Sequence, residues 1–399
     1  MENAKKFYSW RSWGFGMNRP AAKGWCPSVL RPMESGDGLL VRIKPNYGLL
    51  NANQLLVLAD CMDDFGNGLL DVTSRTNLQI RGVKEQGYSD LVKKLQTEGL
   101  VGVSEKLDRL NVIVPPFIQK NSLTWRCASQ IYSSVESLPF LPEKFGFCVD
   151  CEEGRYLSDN SGDLFIEGNS GSELLLRCTG LKEGLFTSEN TLIDDVKKII
   201  SWYLEKQNVE ENGRPMRMRE FVSQNKFPWK TSKKLKKPIL REVMVGSYPS
   251  HFILAAPFGQ LKSEHLRKLA AVNKKVQFTI NRMLIVESLP GKDHGLIDEP
   301  QDNRLKMNVC PGAPHCSSAT IKTRNLAESL AHQKEFIIGR KVHISGCTKG
   351  CASPNSKDIC IVGNEGSFDI VEKGYAWDKP VVRCSSQTSV FEHLREAGS

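Results

Sequence analysis

No run in this chain approaches about 18 consecutive apolar residues, which argues against a membrane-spanning helix. Its opening stretch, MENAKKFYSWRSWGFGMNRP, has neither an apolar core nor a small-residue cleavage site, so it does not read as a secretory signal. Cysteine is too scarce for a disulfide scaffold, at 12 in 399 residues. No Gly-x-Gly-x-x-Gly follows a strand pattern, so no Rossmann site for a nicotinamide is visible. What remains is ordinary globular composition, 40% hydrophobic and 25% charged. A chain of this length holds two or three domains, or one large fold built from a repeat, without needing staples. The expected location is the cytoplasm, where thiols stay reduced and clustered cysteines bind metal or do redox chemistry.

Lysine and arginine number 54 against 45 acidic residues, a net charge of +9. That excess favours an anionic partner: nucleic acid, or a small molecule with many carboxylates.

An internal repeat organises the chain. The early copy, about 38–83, reads as a strand at 39–43, a helix at 51–65 with Asn51 or Asn53 as N-cap, and a strand pair at 69–83. The late copy, about 250–289, reads as a strand at 252–256, a helix at 262–271 and strands at 276–287. Leu50, Leu55 and Leu58 correspond to Leu261, Leu266 and Leu269. Two β-α-β-β units predict α+β halves related by a pseudo-twofold axis. Residues 191–205 read as an amphipathic helix, and 226–241 (KFPWKTSKKLKKPILR) as a basic connector, either a solvated linker or a docking surface.

Four cysteines fall in two pairs, Cys310 with Cys316 and Cys347 with Cys351. The glycines and prolines among them allow backbone to turn tightly around an iron–sulfur cube. A helical run from Ser318 would place Cys316 at a positive helix end, and a helical turn would put Cys347 and Cys351 on one face. Zinc, which prefers closer pairs, and disulfides are the competing readings. The other eight cysteines read as buried thiols.

C-x5-C followed some 30 residues later by C-x3-C resembles the cluster motif of the nitrite and sulfite reductase hemoprotein superfamily. The resemblance implies two ferredoxin-like half-domains in a pseudo-twofold repeat plus α/β domains carrying a [4Fe–4S] cluster. The implied divisions are a first half-domain at 24–110, an α/β lobe at 111–225, a basic linker at 226–245, a second half-domain at 246–300 and a cluster lobe at 301–399. Cys310, Cys316, Cys347 and Cys351 would be the cluster's ligands.

Residues 73–81 (TSRTNLQIR) alternate, so a strand would put Arg75, Asn77, Gln79 and Arg81 on one face. Such a face is either ordinary exposed surface or is covered by a ligand, because burying it alone is costly. In the superfamily this strand looks toward a tetrapyrrole, whose carboxylates suit the planar arginine fork. Arg31, Arg42, Lys144 and Arg282 are further candidates. Arg282 falls on the parity of apolar Phe278 and Leu284, which calls for a bulge or another contact. Arg109-Leu-Asn-Val112 resembles the superfamily's Arg-Asn-Val element with one residue extra.

Sulfite reductases hold their small anion with an element Pro-Arg-Lys-Phe-Lys; here Pro142-Glu-Lys-Phe-Gly146 stands in its place. Segments 26–42 (CPSVLRPMESGDGLLVR), 66–71 (GNGLLD), 141–147 (LPEKFGF), 256–260 (APFGQ) and 342–354 (VHISGCTKGCASP) resemble the precorrin-3B synthase branch. That likeness implies an oxidoreductase converting precorrin-3A to precorrin-3B, by C20 hydroxylation and γ-lactone closure, with O2 and NADH in cobalamin biosynthesis. It also implies a mononuclear non-heme iron and an electron-donating reductase if NADH binds elsewhere. His315 and His343 flank the cluster cysteines but do not by themselves define iron ligands. The alternative is a siroheme-dependent nitrite or sulfite reductase, in which Cys351 also reaches the heme iron. A nucleic-acid-binding or redox-sensing iron–sulfur protein is a third class, for which only Phe227 and Trp229 beside lysines speak. Neither a nucleic-acid nor a membrane partner is expected.

Overall fold

The structure is a computed structural model that describes residues 26–396, apart from 153, 159, 169–172, 207–214, 230–238 and 334–338. The middle of the expected basic linker therefore lies outside the described residues, as do residues 1–25.

The early repeat begins with β1 (Met33–Ser35) and β2 (Gly38–Ile43). A left-handed turn at Tyr47 leads to β3 (Leu49–Asn51) and helix α1 (Ala52–Asp64). β4 (Leu69–Val72) and β5 (Leu78–Val83) complete it, and α2 (Glu85–Thr97) adds Leu91 and Leu95 to the core shared with α1. Asn51 caps α1: its side chain accepts the Gln54 N–H at 2.9 Å, while the Gln54 carboxamide oxygen accepts the Asn51 N–H at 3.1 Å. Asn51→Ala is expected to cost about 1 kcal/mol, read as a lower denaturant midpoint at unchanged slope.

The central lobe runs through α3 (Glu105–Arg109), β6 (Val112–Ile113), α4 (Leu123–Ser133), β7 (Phe147–Asp150) and β8 (Gly154–Arg155). It continues with β9 (Leu164–Gly168), β10 (Glu173–Cys178), β11 (Leu185–Ser188), α5 (Leu192–Glu205) and α6 (Met218–Gln224). Its mixed sheet has the order β11-β10-β9-β7-β6. Leu192, Val196, Ile199 and Ile200 turn the apolar stripe of α5 into the lobe's core.

β12 (Ile239–Leu240) pairs with β8 ahead of the late repeat. That repeat comprises β13 (Gly246–Tyr248), β14 (His251–Ala255), β15 (Gln260–Lys262), α7 (Ser263–Val272), β16 (Lys275–Thr279) and β17 (Met283–Val286). The two copies exchange their short strands. β15 adds to the early sheet, order β1-β2-β5-β4-β15, and β3 adds to the late one, order β13-β14-β17-β16-β3. Leu50 and Leu261 occupy the middle of these exchanged strands, and Leu55, Leu58, Leu266 and Leu269 are fully buried in one shared core. The turn before each exchanged strand also repeats. Tyr47 and Phe258 have φ of 58° and 51°, each followed by a glycine at positive φ.

These residues, with Pro314–Ser317, form one compact unit. The other begins at Met307–Ala313 and resumes at Ser318. It holds β18 (Met307–Val309), α8 (Thr323–Ala331), β19 (Val342–Ser345), β20 (Lys357–Asn364), β21 (Ser367–Gly374), β22 (Val382–Cys384) and α9 (Gln387–Glu396). Its sheet runs β18-β19-β20-β21-β22, parallel across β18, β19 and β20, then antiparallel.

Three local expectations need correction. Residues 73–77 are a turn rather than part of a strand: Thr73 accepts the Thr76 N–H at 3.2 Å, and Thr76 has φ 63°. Residues 318–322 are not helical, because Thr320 N–H bonds to Gly346 and Ala313 N–H to Ile321; Cys316 thus lacks a following helix N-terminus. Cys347 and Cys351 flank a turn containing Gly350 at φ 60°, not a turn of helix.

Candidate functional site

The outer face of the early sheet carries a polar row. Pairing sets Arg42 opposite Gln79, Gln79 opposite Asp71, and Asp71 opposite Gln260. The matching row of the late sheet reads Ile253, Ile285, Gln277 and Leu49. Ile253 and Ile285 pack there with Phe165, Leu157 and Ile280. The symmetry of the backbone is therefore broken by chemistry: the early half presents cations, and the late half presents aliphatic packing.

Arg42 donates to the Gln79 carboxamide oxygen through Nε at 2.9 Å and Nη2 at 2.5 Å, and Cys26 lies near it. Arg75, in the 73–77 turn, donates from Nε to Ser161 Oγ at 2.7 Å. Burial lowers the pKa of both guanidiniums, and for Arg75 the nearby Arg217 adds to the effect against Asp163. Neither arginine hydrogen-bonds a carboxylate among the described residues. Both guanidiniums are partly buried on uncharged acceptors, with Asp163 near Arg75, so the face carries positive potential that suits an anionic ligand.

Two further cations join them. Lys44 continues the face of Arg42 and donates to the Asp108 carbonyl at 2.7 Å. Its ammonium is pushed down to about 8, chiefly by burial, with Arg42 adding and Asp108 opposing. Arg217 pairs with the buried Asp163 at 2.7 Å. Burial acts to lower its pKa, but Asp163 prevails and raises it. Asp163 also accepts the N–H groups of Gly146 and Met218, so it fixes Arg217 beside Gly146.

Lys44 gives a pH prediction. It is charged below its pKa and neutral above, so affinity for a polycarboxylate falls as pH rises through about 8. Lys44→Met should flatten that inflection in a binding titration monitored by absorbance.

The other expected residues divide. Asn77 Nδ2 donates to Asn111 Oδ1 at 3.1 Å, so it braces the turn that carries Arg75. Arg31 is nearly half exposed and pairs with Glu143. Lys144 lies beside Glu143 in a turn, half buried. Arg109 pairs with Glu105 at 2.6 Å and lies over the Phe140 ring. Arg282 sits in a turn at φ 64° rather than in a strand, so strand parity does not govern it; its stem packs over Gly259. Arg81 is also redirected: its side chain, 3% exposed, is held by Asp37 at 3.0 Å and Asp71 at 3.5 Å.

Sequence reading missed Lys44, Arg217, Asp163 and Cys26. Lys44 follows Arg42 by two residues, so strand periodicity carries its signal. Arg217 comes from a distant segment and had no local signal.

Around the cysteine pairs, the Gly346 N–H donates to Cys310 Sγ at 3.1 Å. Such donation to sulfur is a recognised device for holding and tuning iron–sulfur clusters. Gly312 at φ 68° and Gly350 at φ 60° bend the chain beside their cysteines. Ser345 Oγ donates to the Cys347 carbonyl at 2.7 Å. Thiolate chemistry and this N–H to sulfur contact suit an iron–sulfur cluster; Cys316 belongs to the other compact unit. Burial pushes Cys61 up to about 11 and Cys178 and Cys360 up to about 12, which suits packing rather than ligation. Among the described residues no group of three or more His, Cys, Asp or Glu side chains, the paired cysteines included, stands together as a ready-made metal site.

The fold that carries this site is that of the nitrite and sulfite reductases. The nitrite/sulfite reductase ferredoxin-like half domain matches residues 31–97. The solved structure of the Mycobacterium tuberculosis NirA protein superposes with a TM-score of 0.64 at 14% identity, covering 89% of this chain and 79% of that one. In sequence, the chain is similar to a precorrin-3B synthase of a Sinorhizobium sp, 25% identical over 391 residues, covering 89% of this chain and 83% of the relative. It is also similar to the ferredoxin–nitrite reductase of Leptolyngbya laminosa, 22% identical over 415 residues, covering 86% of this chain and 79% of the relative. The described residues contain no helix long and apolar enough to cross a membrane.

Proposed function

We infer that the protein is an oxidoreductase acting on a polycarboxylate tetrapyrrole, and specifically that it converts precorrin-3A to precorrin-3B with O2 and NADH. The observation that carries this reading is the pair Arg42 and Arg75, both partly buried on one face and neither hydrogen-bonded to a carboxylate among the described residues. Arg42, Arg75, Lys44 and Arg217 hold the substrate carboxylates, while Gln79 and Asn77 keep the first two in place. Gly146 in place of the reductase lysine withdraws a proton donor for a small oxyanion.

Cys310, Cys316, Cys347 and Cys351 hold the [4Fe–4S] cluster, which supplies one-electron transfer when bound. The reducing equivalents come from NADH directly or through an electron-donating protein, and the setting is the cytoplasm. No step is assigned to a mononuclear iron. The test is anaerobic reduction of the protein followed by precorrin-3A and 18O2. The account requires a product heavier by one oxygen atom that carries the label. An unlabelled or unchanged tetrapyrrole, together with turnover of nitrite or sulfite, would establish the alternative siroheme-dependent reductase.

A further inference from the structure

The turn joining β1 to β2, Ser35-Gly36-Asp37, is committed to one short segment, Pro314–Ser317. Ser35 Oγ donates to the His315 carbonyl at 2.6 Å, and the Arg81 guanidinium donates to the same oxygen. Asp37 Oδ2 lies 2.8 Å from His315 Nδ1 and also accepts from Asn67 at 3.1 Å. Gly36 lies so close that a Cβ there would strike the Pro314 carbonyl and come within 3.0 Å of the Ser317 N. Arg81 is in turn fixed by Nε and Nη2 on Asp37, at 3.2 and 3.0 Å, and by Ser35 Oγ at 3.1 Å. Packing alone does not require this. A buried arginine with two carboxylates is costly unless its geometry is well satisfied, and here the satisfied geometry ends on the peptide that precedes Cys316.

The geometry points to Ser35, Asp37 and Arg81 as a positioning clamp that seats Cys316 and sets the reduction potential of the cluster it ligates. The proposal rests on Cys316 being a ligand. Two donors on the His315 carbonyl polarise the His315–Cys316 peptide, so its N–H end becomes more positive beside the sulfur. Reduction adds an electron to the cluster, and that positive end favours the reduced form. The carboxylate of Asp37 acts in the opposite sense, since negative charge nearby opposes the added electron. The clamp therefore contains two groups whose removal shifts the potential in opposite directions. A purely structural role has no such signature.

The experiment uses the full chain with its cluster, purified without oxygen, as parent, Ser35→Ala, Asp37→Asn and Cys316→Ala. Iron and sulfide are counted, the potential is read by redox titration followed by electron paramagnetic resonance, and melting is recorded. Ser35→Ala should lower the potential and Asp37→Asn should raise it, both with parent-like melting. Loss of cluster from either variant at unchanged melting also supports the clamp. Parent-like content and potential in both, or shifts of the same sign, overturn it, as does cluster loss that only accompanies a lower melting temperature. Cys316→Ala separates the two readings. Full cluster content in that variant removes Cys316 as a ligand, whereas cluster loss there with unaltered Ser35 and Asp37 variants refutes the clamp alone.

Discussion

Cys347→Ala is expected to empty the cluster site and abolish turnover while leaving the fold intact. Cys347 follows β19 and is half buried at a turn, so its thiol adds little to the core. The strands on which that turn stands are held independently, β19 pairing in parallel with both β18 and β20. Removing the thiolate proposed as a ligand would leave one iron without a protein partner. Iron and acid-labile sulfide should both fall to background, with far-ultraviolet circular dichroism unchanged. Cys178→Ala is the matched control. That thiol is buried, its pKa is pushed up to about 12, and its loss should cost stability but no iron. Full cluster content in Cys347→Ala would remove it from the ligand set.

Arg75→Ala should weaken binding of a polycarboxylate tetrapyrrole by about 1.5–3 kcal/mol, the range for a hydrogen bond to a charged group, or roughly 10- to 150-fold in Kd. The free protein should not suffer comparably. Arg75 is desolvated and its pKa is lowered by burial first and then by Arg217, so the unliganded state carries the cost of keeping it charged. Removing it relieves that cost, at the loss of the contact with Ser161 and of the attraction to Asp163. The pairing of weaker binding with equal or higher melting temperature distinguishes a ligand-binding arginine from a structural one. Unchanged affinity would mean that this face meets something other than substrate.

How much was legible in the sequence follows from how far apart the cooperating residues lie. Helical periodicity located α1 and α7, and their leucines at matching positions disclosed the repeat, because each signal fits within one short window. The exchange of β3 and β15 left no trace, since Leu49–Asn51 and Gln260–Lys262 are too short for an alternating pattern. Residues 73–77 misled by alternating like a strand while folding as a turn, with Thr76 at positive φ. Gln79 was found because a strand shows its faces in sequence, and Arg42 through the resemblance of its segment. Arg217 was invisible because Asp163, from another segment, positions it. Arg81 had the right parity, yet its partners Asp37 and His315 become neighbours only in the folded chain.

The central claim is that this fold uses a cluster and receives its tetrapyrrole as substrate at Arg42 and Arg75. The most direct test is the cofactor inventory of protein purified without oxygen: iron, acid-labile sulfide, and the absorption spectrum of an acid–acetone extract. The account predicts iron and sulfide of at least about four each per chain, the content of one cube, and no extractable siroheme. Siroheme in the extract, or protein lacking sulfide, would contradict it.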